Sequence, residues 1–463
     1  MVNIVTDVIA AISTAMGEGG IGIVRMSGKD SLNIANKLFK GNKVDSLKEN
    51  ENRKLTYGHI IDPKDGEIID EVLIVFMKGP YTYTREDMVE IYCHGGIISV
   101  RKILELVLEN GARLAEAGEF TKRAFLNGRL DLSQAEAVID MIRAKTDKSF
   151  EVSLNQLEGS ISHKVKEIRN ILLEMIAHIE VSIDFPDEDI EEVTYDELEE
   201  KARLVKEEIK KLLSTADRGK ILKDGLNIVI LGKPNVGKSS LLNAMLRENR
   251  AIVTNVPGTT RDIIEEYINI DGIPLKIMDT AGIRSTKDVV EKIGVDRAID
   301  MVDKADLIIA VFDASESITD EDYEIIDIVK DKKSIVLLNK SDLPNEYDEN
   351  DLKKLLPNKE IITTSIATGI GIDKLEQAIK EMFYAGELEI ESDIIVTNMR
   401  HKDQLIKAKK NIEDGLEGIM LKIPLDCIEV DIKNCWENLG EISGDTVGED
   451  ILDKIFSEFC IGK

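Results

Sequence analysis

Cysteine is scarce in this chain of 463 residues, which holds only Cys93, Cys427, Cys435 and Cys460. Four scattered thiols with no Cys-x-x-Cys pair exclude a disulfide framework and a thiolate zinc site, so reduced cysteines are expected. Long apolar runs are missing too: no uncharged stretch approaches the roughly 18 residues of a bilayer-spanning helix, so no membrane span is expected. The opening "MVNIVTDVIAAISTAMGEGGIGIVRMSG" is interrupted by Asp7 and has no basic side chain before Arg25. It lacks the positively charged start of a secretory signal, and a cytoplasmic protein is expected. Positive charge is the scarcer sign, with 60 Lys and Arg against 88 Asp and Glu and a formal net charge of −28. Such a chain repels polyphosphates at long range, so any nucleic acid has to meet a local basic surface. The acidic stretch "DEDIEEVTYDELEE" at 187–200 reads as a solvated helix start or loop.

What is present is length and patterning. Hydrophobic content of 43% beside 32% charged residues is globular, and the length suits about two to four domains. Residues 1–118 mix strand-like runs (Gly22-Ile23-Val24-Arg25, Val72–Phe76, Val89–Tyr92) with a helical stretch from Ser99 to Asn110, which predicts an α+β domain. Over 119–220 the period lengthens to helical spacing, with one stripe at Val165, Ile168, Leu172, Met175, Ile176 and Ile179 and another at Leu204, Val205, Ile209, Leu212 and Leu213. Between 221 and 375 strand-like runs alternate with helices: 226–231, a hairpin 264–278 turning at Asp271-Gly272, Leu307–Phe312 and Ile335–Leu338. That alternation predicts a mostly parallel sheet wrapped by helices, with function on the loops at the strand ends. From 376 to 463 helical spacing returns, clearest at Val447, Ile451, Leu452, Ile455, Phe456 and Phe459. The expected architecture is multidomain: an α+β domain, then an all-α domain split by an inserted α/β domain.

The inserted domain carries the chemistry. Gly232-x-x-x-x-Gly237-Lys238-Ser239 follows a strand and precedes the amphipathic run Leu241-Leu242-x-x-Met245-Leu246, the context that a phosphate-binding loop requires. The glycines let backbone N–H groups face phosphates, Lys238 reaches the β and γ groups, and the Ser239 hydroxyl ligates Mg²⁺. Asn235, Val236, Gly237 and Ser240 complete the loop's share of the nucleotide site. Asn339-Lys340-Ser341-Asp342 directly follows an apolar strand. Its Asp342 carboxylate matches the two N–H groups of guanine, which adenine does not offer, and the Lys340 stem lies along the base, so GTP is expected. Asp279-Thr280-Ala281-Gly282 supplies a carboxylate that holds Mg²⁺ through water and an amide for the γ-phosphate. "PGTTRD" supplies Thr259 and Thr260, with Thr260 the second magnesium ligand. Ser365-Ile366-Ala367 stands where a loop supporting the base is expected.

A Gln beside the glycine of the second switch commonly orients the attacking water, but Ile283 stands there and cannot. Glu291 is the carboxylate at a reachable distance after the switch; it reads either as a group orienting water or as an exposed helix charge. Asn235 reads either as an oxygen ligand for a cation that neutralises charge developing between phosphates or as a tie within the loop.

Taken together, "GKPNVGKSSLLNA", "VTNVPGTTRD", "DTAGIR", "EKIG" and "NKSD" resemble the septation-like GTPases activated by potassium and by G-domain dimerisation. "GIGIVRMSG", "EIYCHGG", "GEFTKRAFLNGRLDLSQAEAVIDMI" and the terminal "CIGK" are similar to the MnmE/TrmE family of tRNA-modification GTPases, over essentially the full length. The resemblance implies an N-terminal folate-binding domain that also dimerises, a helical domain built from both sides of the insertion, and a G domain. It implies a homodimer working on tRNA with a flavoprotein partner of the MnmG/GidA type, which alone carries FAD. Together they add an aminomethyl or carboxymethylaminomethyl group to C5 of the wobble uridine, with 5-formyl- or methylene-tetrahydrofolate as one-carbon donor. K⁺ then falls on Asn235, Thr254, Val256 and Thr259, with Thr254 and Thr259 also beside the nucleotide, and Glu291 matches the family's catalytic carboxylate. Folate falls on Arg25, Glu86, Arg129 and Lys463: basic groups suit its glutamate tail and a carboxylate its amino-pyrimidine edge. Arg85 stands where the family commonly has Gly. Cys460, within the end motif, is the cysteine whose setting looks chemical, while Cys93, Cys427 and Cys435 read as idle thiols.

A GTP-dependent ribosome-assembly switch is the rival reading. Relatives of that kind often append an RNA-binding KH domain with a basic Gly-x-x-Gly loop, but Gly415-Leu416-Glu417-Gly418 has an acid inside it. "RHKDQLIKAKK" at 400–410 reads as a solvated helical face ahead of a tRNA contact.

Overall fold

A computed structural model describes residues 7–41, 46–49, 52–184, 195–249, 266–278, 301–384 and 394–463. Among the described residues the first sheet has seven strands: β1 (Ile9–Ile12), β2 (Gly22–Ser27), β3 (Phe39–Gly41), β4 (Thr56–Ile61), β5 (Ile68–Met77), β6 (Met88–Cys93) and β7 (Arg113–Leu114), ordered β3-β4-β5-β6-β2-β1-β7. On β2, the apolar Val24 and Met26 alternate with the polar Arg25 and Ser27, which leave the opposite face together with Ile23. One face is covered by α1 (Ser31–Leu38) and α2 (Ile97–Glu109), whose Ile34, Leu38, Val100, Ile103 and Val107 meet Val24, Met26, Ile74 and Ile91. The other face, carrying Arg25, is closed in part by α3 (Glu119–Leu126), whose Phe120 packs with Ile9, Ala11 and Met88.

Helices follow. These are α4 (Leu132–Arg143), α5 (Asp147–Leu157), α6 (Ser160–Asp184), α7 (Tyr195–Ser214) and α8 (Ala216–Asp224). Capping boxes start α4 at Asp131 with Gln134 and α5 at Thr146 with Ser149, satisfying N–H groups that a helix start leaves open. The α6 stripe is buried throughout, from Val165 to Ile179. On α7, Val205, Ile209 and Leu212 turn inward while Leu204 is 49% exposed, because adjacent residues on a helix point about 100° apart and Leu204 and Val205 cannot both face the core.

The chain then enters a second sheet. Its elements are β8 (Leu226–Leu231), α9 (Lys238–Asn249), β9 (Glu266–Ile270), β10 (Ile273–Ile277), β11 (Leu307–Asp313), α10 (Asp320–Val329), β12 (Ser334–Asn339), α11 (Glu349–Leu355), β13 (Glu360–Thr363) and α12 (Ile372–Tyr384). The order is β13-β12-β11-β8-β10-β9, parallel except for β9, which pairs antiparallel with β10 through a turn at Asp271 (φ 52°) and Gly272 (φ 90°). Leu375, Ala378 and Ile379 of α12 are buried in this core, so the α/β unit continues beyond residue 375.

Three helices return: α13 (Met399–Met420), α14 (Leu425–Ser443) and α15 (Glu449–Ser457). They rejoin α6 and α7 in one core, with Leu405, Ile412, Ile432 and Leu439 against Leu172, Met175 and Val205. Gly415-Leu416-Glu417-Gly418 lies inside α13 and is not a loop. Leu452 and Phe456 of α15 pack on Leu132 and Ile139, while Ile451 is 44% exposed. Among the described residues no helix is long and apolar enough to cross a membrane.

Arg400 and His401 correct the expectation of a wholly solvated face at 400–410. Arg400 Nε and Nη2 lie 2.9 and 2.7 Å from the two carboxylate oxygens of Glu136, and His401 Nε2 lies 2.8 Å from one of them. Lys407 and Lys410 of the same stretch remain exposed. Burial raises the Glu136 carboxyl, but His401 and Arg400 outweigh it and hold it at about 2, below the ordinary 4.5. Its folded value is depressed, so the contribution is complete above the unfolded pKa and is lost as pH falls from 4.5 towards 2. Glu136→Ala leaves the half-buried Arg400 guanidinium without its carboxylate and is expected to cost roughly 3 kcal/mol. Denaturant unfolding at neutral pH checks this, and the mutant's deficit should shrink as the medium is acidified through that range.

Candidate nucleotide site and the pocket under the tail

The phosphate-binding loop springs from β8, the central strand, and ends at the first turn of α9. Its glycines are sterically required: a Cβ on Gly232 would stand 2.6 Å from the Val311 carbonyl oxygen, and one on Gly237 (φ 111°) 2.4 Å from Asn339 Nδ2. Asn235 adopts φ 64°, a left-handed conformation uncommon outside glycine. Lys238 curls over the loop, its Nζ donating to the carbonyls of Gly232 and Lys233, each at 2.6 Å. Burial pushes its pKa down, a desolvation cost of the ammonium that an anion bound beside it would offset. Lys233 is anchored outward, 2.7 Å from Asp322 in the first turn of α10. Ser239 and Ser240 open α9.

Asn339 joins the phosphate loop to the base-reading loops. Its Nδ2 donates to the Val236 carbonyl at 2.7 Å and its Oδ1 accepts from the Ile366 amide at 3.1 Å. Ser365 Oγ donates to Asp342 Oδ1 at 2.6 Å, orienting the carboxylate expected to read the base, and Thr368 Oγ1 donates to Ser365 Oγ at 2.8 Å. Ala367 adjoins this pair at the surface. Lys340, at φ 64°, pairs with Asp313 at the end of β11. Burial raises Asp313, but Lys340 and Ser315 prevail and lower it. Asn235, Val236, Gly237, Lys238, Asn339, Lys340, Asp342, Ser365 and Ile366 thus come together at the C-terminal ends of β8, β11, β12 and β13, where doubly wound sheets bind ligands. Thr254, Val256, Thr259, Thr260, Asp279, Thr280, Ala281, Gly282, Ile283 and Glu291 lie outside the described residues.

A second constellation gathers on the exposed face of the first sheet. Arg25 Nε lies 2.8 Å from Glu90 Oε1 on the neighbouring strand, and its guanidinium carbon lies 5.9 Å from the Tyr83 ring and 5.8 Å from the Phe120 ring. Arg129 stacks on the same Tyr83 at 4.7 Å. The tail enters here. Ile461 bridges Ala117, Ser13 Oγ donates to the Gly462 carbonyl at 3.1 Å, and Arg25 Nη1 approaches that carbonyl at 3.4 Å. Gly462 (φ 94°) is required, because a Cβ would meet the Ile12 carbonyl oxygen at 2.2 Å. Lys463 is pushed down by burial and by the charge of Arg25, with Glu90 and Cys460 opposing. Cys460 is exposed, and its carbonyl accepts from the Gly118 amide at 3.4 Å. Arg25, Arg129, Cys460 and Lys463 therefore share one neighbourhood. Glu86 stands beside it, receiving Ser27 Oγ at 2.7 Å and Arg123 Nη1 at 3.2 Å, with Ser27 on the same face of β2 as Arg25.

Tyr83, Glu90 and Tyr92, whose hydroxyl donates to Glu90 at 2.6 Å, join the cluster without belonging to any of the sequence motifs assigned a site role. The signal was Arg25 and Glu90 each standing in an apolar strand, "IVRMS" and "MVEIY", which places opposite charges across from each other once β2 and β6 pair. Asp313 and Asp322, which hold the two loop lysines, gave no motif of their own.

Two family models match the chain: one described as GTP-binding protein TrmE N-terminus over residues 8–129, the other as MnmE helical domain over residues 132–460. Among curated proteins, the tRNA modification GTPase MnmE of Alkaliphilus metalliredigens (strain QYMF) is 57% identical over 99% of each chain. That of Clostridioides difficile (strain 630) is 57% identical over 99% of this chain and 100% of its own. That of Geobacillus thermodenitrificans (strain NG80-2) is 54% identical over 99% of each.

Asn339→Ala removes three buried hydrogen bonds, to Val236, Ile366 and Thr364, and unties the phosphate loop from the loop at 365–367, so guanine-nucleotide affinity is expected to fall about tenfold or more. Titration with a fluorescent guanine nucleotide measures it, and a change below about twofold contradicts the tie.

Proposed function

We propose, from the premise that the chain belongs to the MnmE family of tRNA modification GTPases, that it hydrolyses GTP to drive modification of tRNA at C5 of the wobble uridine. It is a GTP hydrolase, and we assign hydrolysis and modification to separate sites. The observation that carries this reading is the docking of Cys460–Lys463 against Arg25, on a different sheet from the phosphate loop.

At the nucleotide, the loop amides and Lys238 bind the phosphates, Asp342 selects guanine, and Mg²⁺ would be held by Ser239 and Thr260. Asp279 and Gly282 would meet the metal's water and the γ-phosphate. With Ile283 unable to hydrogen-bond water, Glu291 would orient it. K⁺ on Asn235, Thr254, Val256 and Thr259 would neutralise charge developing between phosphates. The left-handed backbone of Asn235 supports this role, because it costs conformational energy that a mere spacer would not need.

The side-chain cluster under the tail suits a flat anionic ligand: aromatic Tyr83 and cationic Arg25, Arg129 and Lys463 share this neighbourhood, with Glu86 at its margin. These groups fit a tetrahydrofolate, 5-formyl- or methylene-, which supplies the one-carbon unit when bound. Arg25, Arg129 and Lys463 would bind its carboxylates and Glu86 its amino-pyrimidine edge, while Cys460 would stand ready as nucleophile or proton donor. A homodimer is supported by the exposed apolar side chains Leu55, Tyr57, Ile68 and Leu73 around β4 and β5, with Tyr57 directly opposite Leu73. A flavoprotein of the MnmG/GidA type would be the partner, carrying FAD, and the tRNA substrate implies a cytoplasmic setting. The division proposed is a folate-binding unit to about residue 130, a helical unit on both sides, and a G unit from β8 through α12.

GTP turnover is expected to be at least about tenfold faster in potassium than in sodium, with Asn235→Ala abolishing the difference while nucleotide binding persists. Equal rates in the two salts would remove the cation. Deleting Cys460–Lys463 is expected to eliminate tRNA modification and leave potassium-stimulated hydrolysis within about twofold of normal. Both activities are read on one preparation with the partner present; intact modification would make the tail structural, and lost hydrolysis would tie it to the G unit.

A further inference from the structure

The loop from Gly79 to Glu86 does more than wall the pocket. Tyr81 at its tip is 79% exposed, an aromatic ring with no core to serve. Three exposed arginines lie on this loop or touch its backbone or the neighbouring Asn127, each donating to a backbone carbonyl. Arg53 reaches the Tyr81 carbonyl, Arg85 Nη1 the Asn127 carbonyl at 2.9 Å, and Arg129 Nη1 the Tyr83 carbonyl at 3.0 Å.

Neutral carbonyls occupy only part of each five-donor fork and leave its charge uncompensated. Among the described residues, none of the three has a carboxylate within ion-pair distance. That distinguishes them from Arg113, Arg123, Arg169 and Arg400, which all hold acids. In a chain of net charge −28, a local cationic surface of this kind is where a polyanion has to land. Arg53 and Arg85 both adopt φ 62°, and the loop is tied by Thr82 Oγ1 to the Glu86 carbonyl at 2.6 Å, Gly79 N to Asp87 at 2.9 Å and Asn127 Nδ2 to the Thr84 carbonyl at 2.6 Å. The loop ties present Arg85 on a fixed frame, and Arg53 is joined to it by its amide on the Phe76 carbonyl and its side chain on the Tyr81 carbonyl.

We propose that Tyr81, Arg53 and Arg85 form a contact site for single-stranded RNA, Tyr81 stacking an unpaired base and the two arginines holding adjoining phosphates. The inference rests on the tRNA reading above and gives that substrate a place to bind. An exposed aromatic face among guanidiniums is what unstacked RNA loops use, and a folded duplex would not present its bases to it. Tyr83, two residues on, is the ring shared by Arg25 and Arg129, so RNA held at Tyr81 lies beside the candidate one-carbon pocket.

The test is fluorescence anisotropy of the full chain with a labelled anticodon stem–loop whose wobble position is uridine, over a range of salt. Tyr81→Ala is expected to weaken binding about tenfold while Tyr81→Phe stays close to wild type. Arg53→Ala with Arg85→Ala should flatten the salt dependence by about 1.4 in log–log slope, about 0.7 per lost phosphate contact. GTP turnover and light-scattering mass on the same preparations should be unchanged. Binding by both Ala variants equal to wild type overturns the site, and a variant that loses mass overturns it in favour of a contact between copies of the chain. A wild-type chain that binds no stem–loop also overturns it. Failure of the underlying functional reading is seen separately, as wobble uridines that are unchanged in cells lacking the chain while the binding result still scores the site.

Discussion

The carboxylate of Glu136 fastens α4 to α13 through Arg400 and His401, side chains 264 and 265 positions away. Between those two helices in sequence lies the whole nucleotide-binding unit. An insertion of that size leaves a helical domain in two pieces that have to pair across the intervening chain. Apolar stripes drive the association, but they tolerate sliding by a turn; a bidentate guanidinium on a buried carboxylate does not. His401 is fully buried beside the pair. The geometry of everything attached to α4 and α13 follows from that register.

Both sites hang from this frame. One turn beyond Glu136, Asp140 lies 2.9 Å from Lys223 at the end of α8, the helix that runs into β8 and the phosphate loop. At the start of α5, Thr146 Oγ1 donates at 2.9 Å to the carbonyl of Gly272 in the turn of the β9–β10 hairpin. In the other direction, Lys122 of α3 pairs with Asp453 of α15, and α15 delivers the tail to Arg25. The two sites differ in construction. The nucleotide loop presents backbone N–H groups fixed by glycine conformations and by one asparagine; the pocket under the tail presents charged side chains on the polar face of an antiparallel sheet. The first arrangement suits a phosphate chain, and the second a ligand with distinct aromatic and anionic parts.

How much of this was legible varied with the range of the interaction. The phosphate loop and its flanking strand and helix could be read directly, because a local backbone device leaves a local pattern: Gly232, Gly237 and Lys238 appear in order. The α6 stripe was equally plain, since one helix face buries every apolar residue on it. Arg400 and His401 sit among lysines, and the acid that pairs with them lies 264 and 265 positions earlier, beyond any local pattern. Leu204 and Ile451 joined stripes on spacing alone, although each stands beside the inward row. Residues Leu375 to Ile379 carry the same helical spacing whether the helix covers a sheet or joins a bundle, so no boundary showed there. Nor could pairing of β2 with β6, which sets Arg25 against Glu90, be read before the sheet order was known. The family resemblance supplied Arg25, Glu86, Arg129 and Lys463 as a set; the geometry adds Tyr83 as the ring that links two of them.

The central claim is that one chain uses GTP to support a chemical change in tRNA, at a place distant from the nucleotide. Its most direct test is mass spectrometry of nucleosides from the tRNA of cells lacking the chain, complemented with either the natural sequence or a Lys238→Ala version. The account predicts that C5-substituted wobble uridine disappears, returns with the natural sequence and does not return with the version that cannot engage phosphates. An unchanged nucleoside profile in the cells lacking the chain would contradict it.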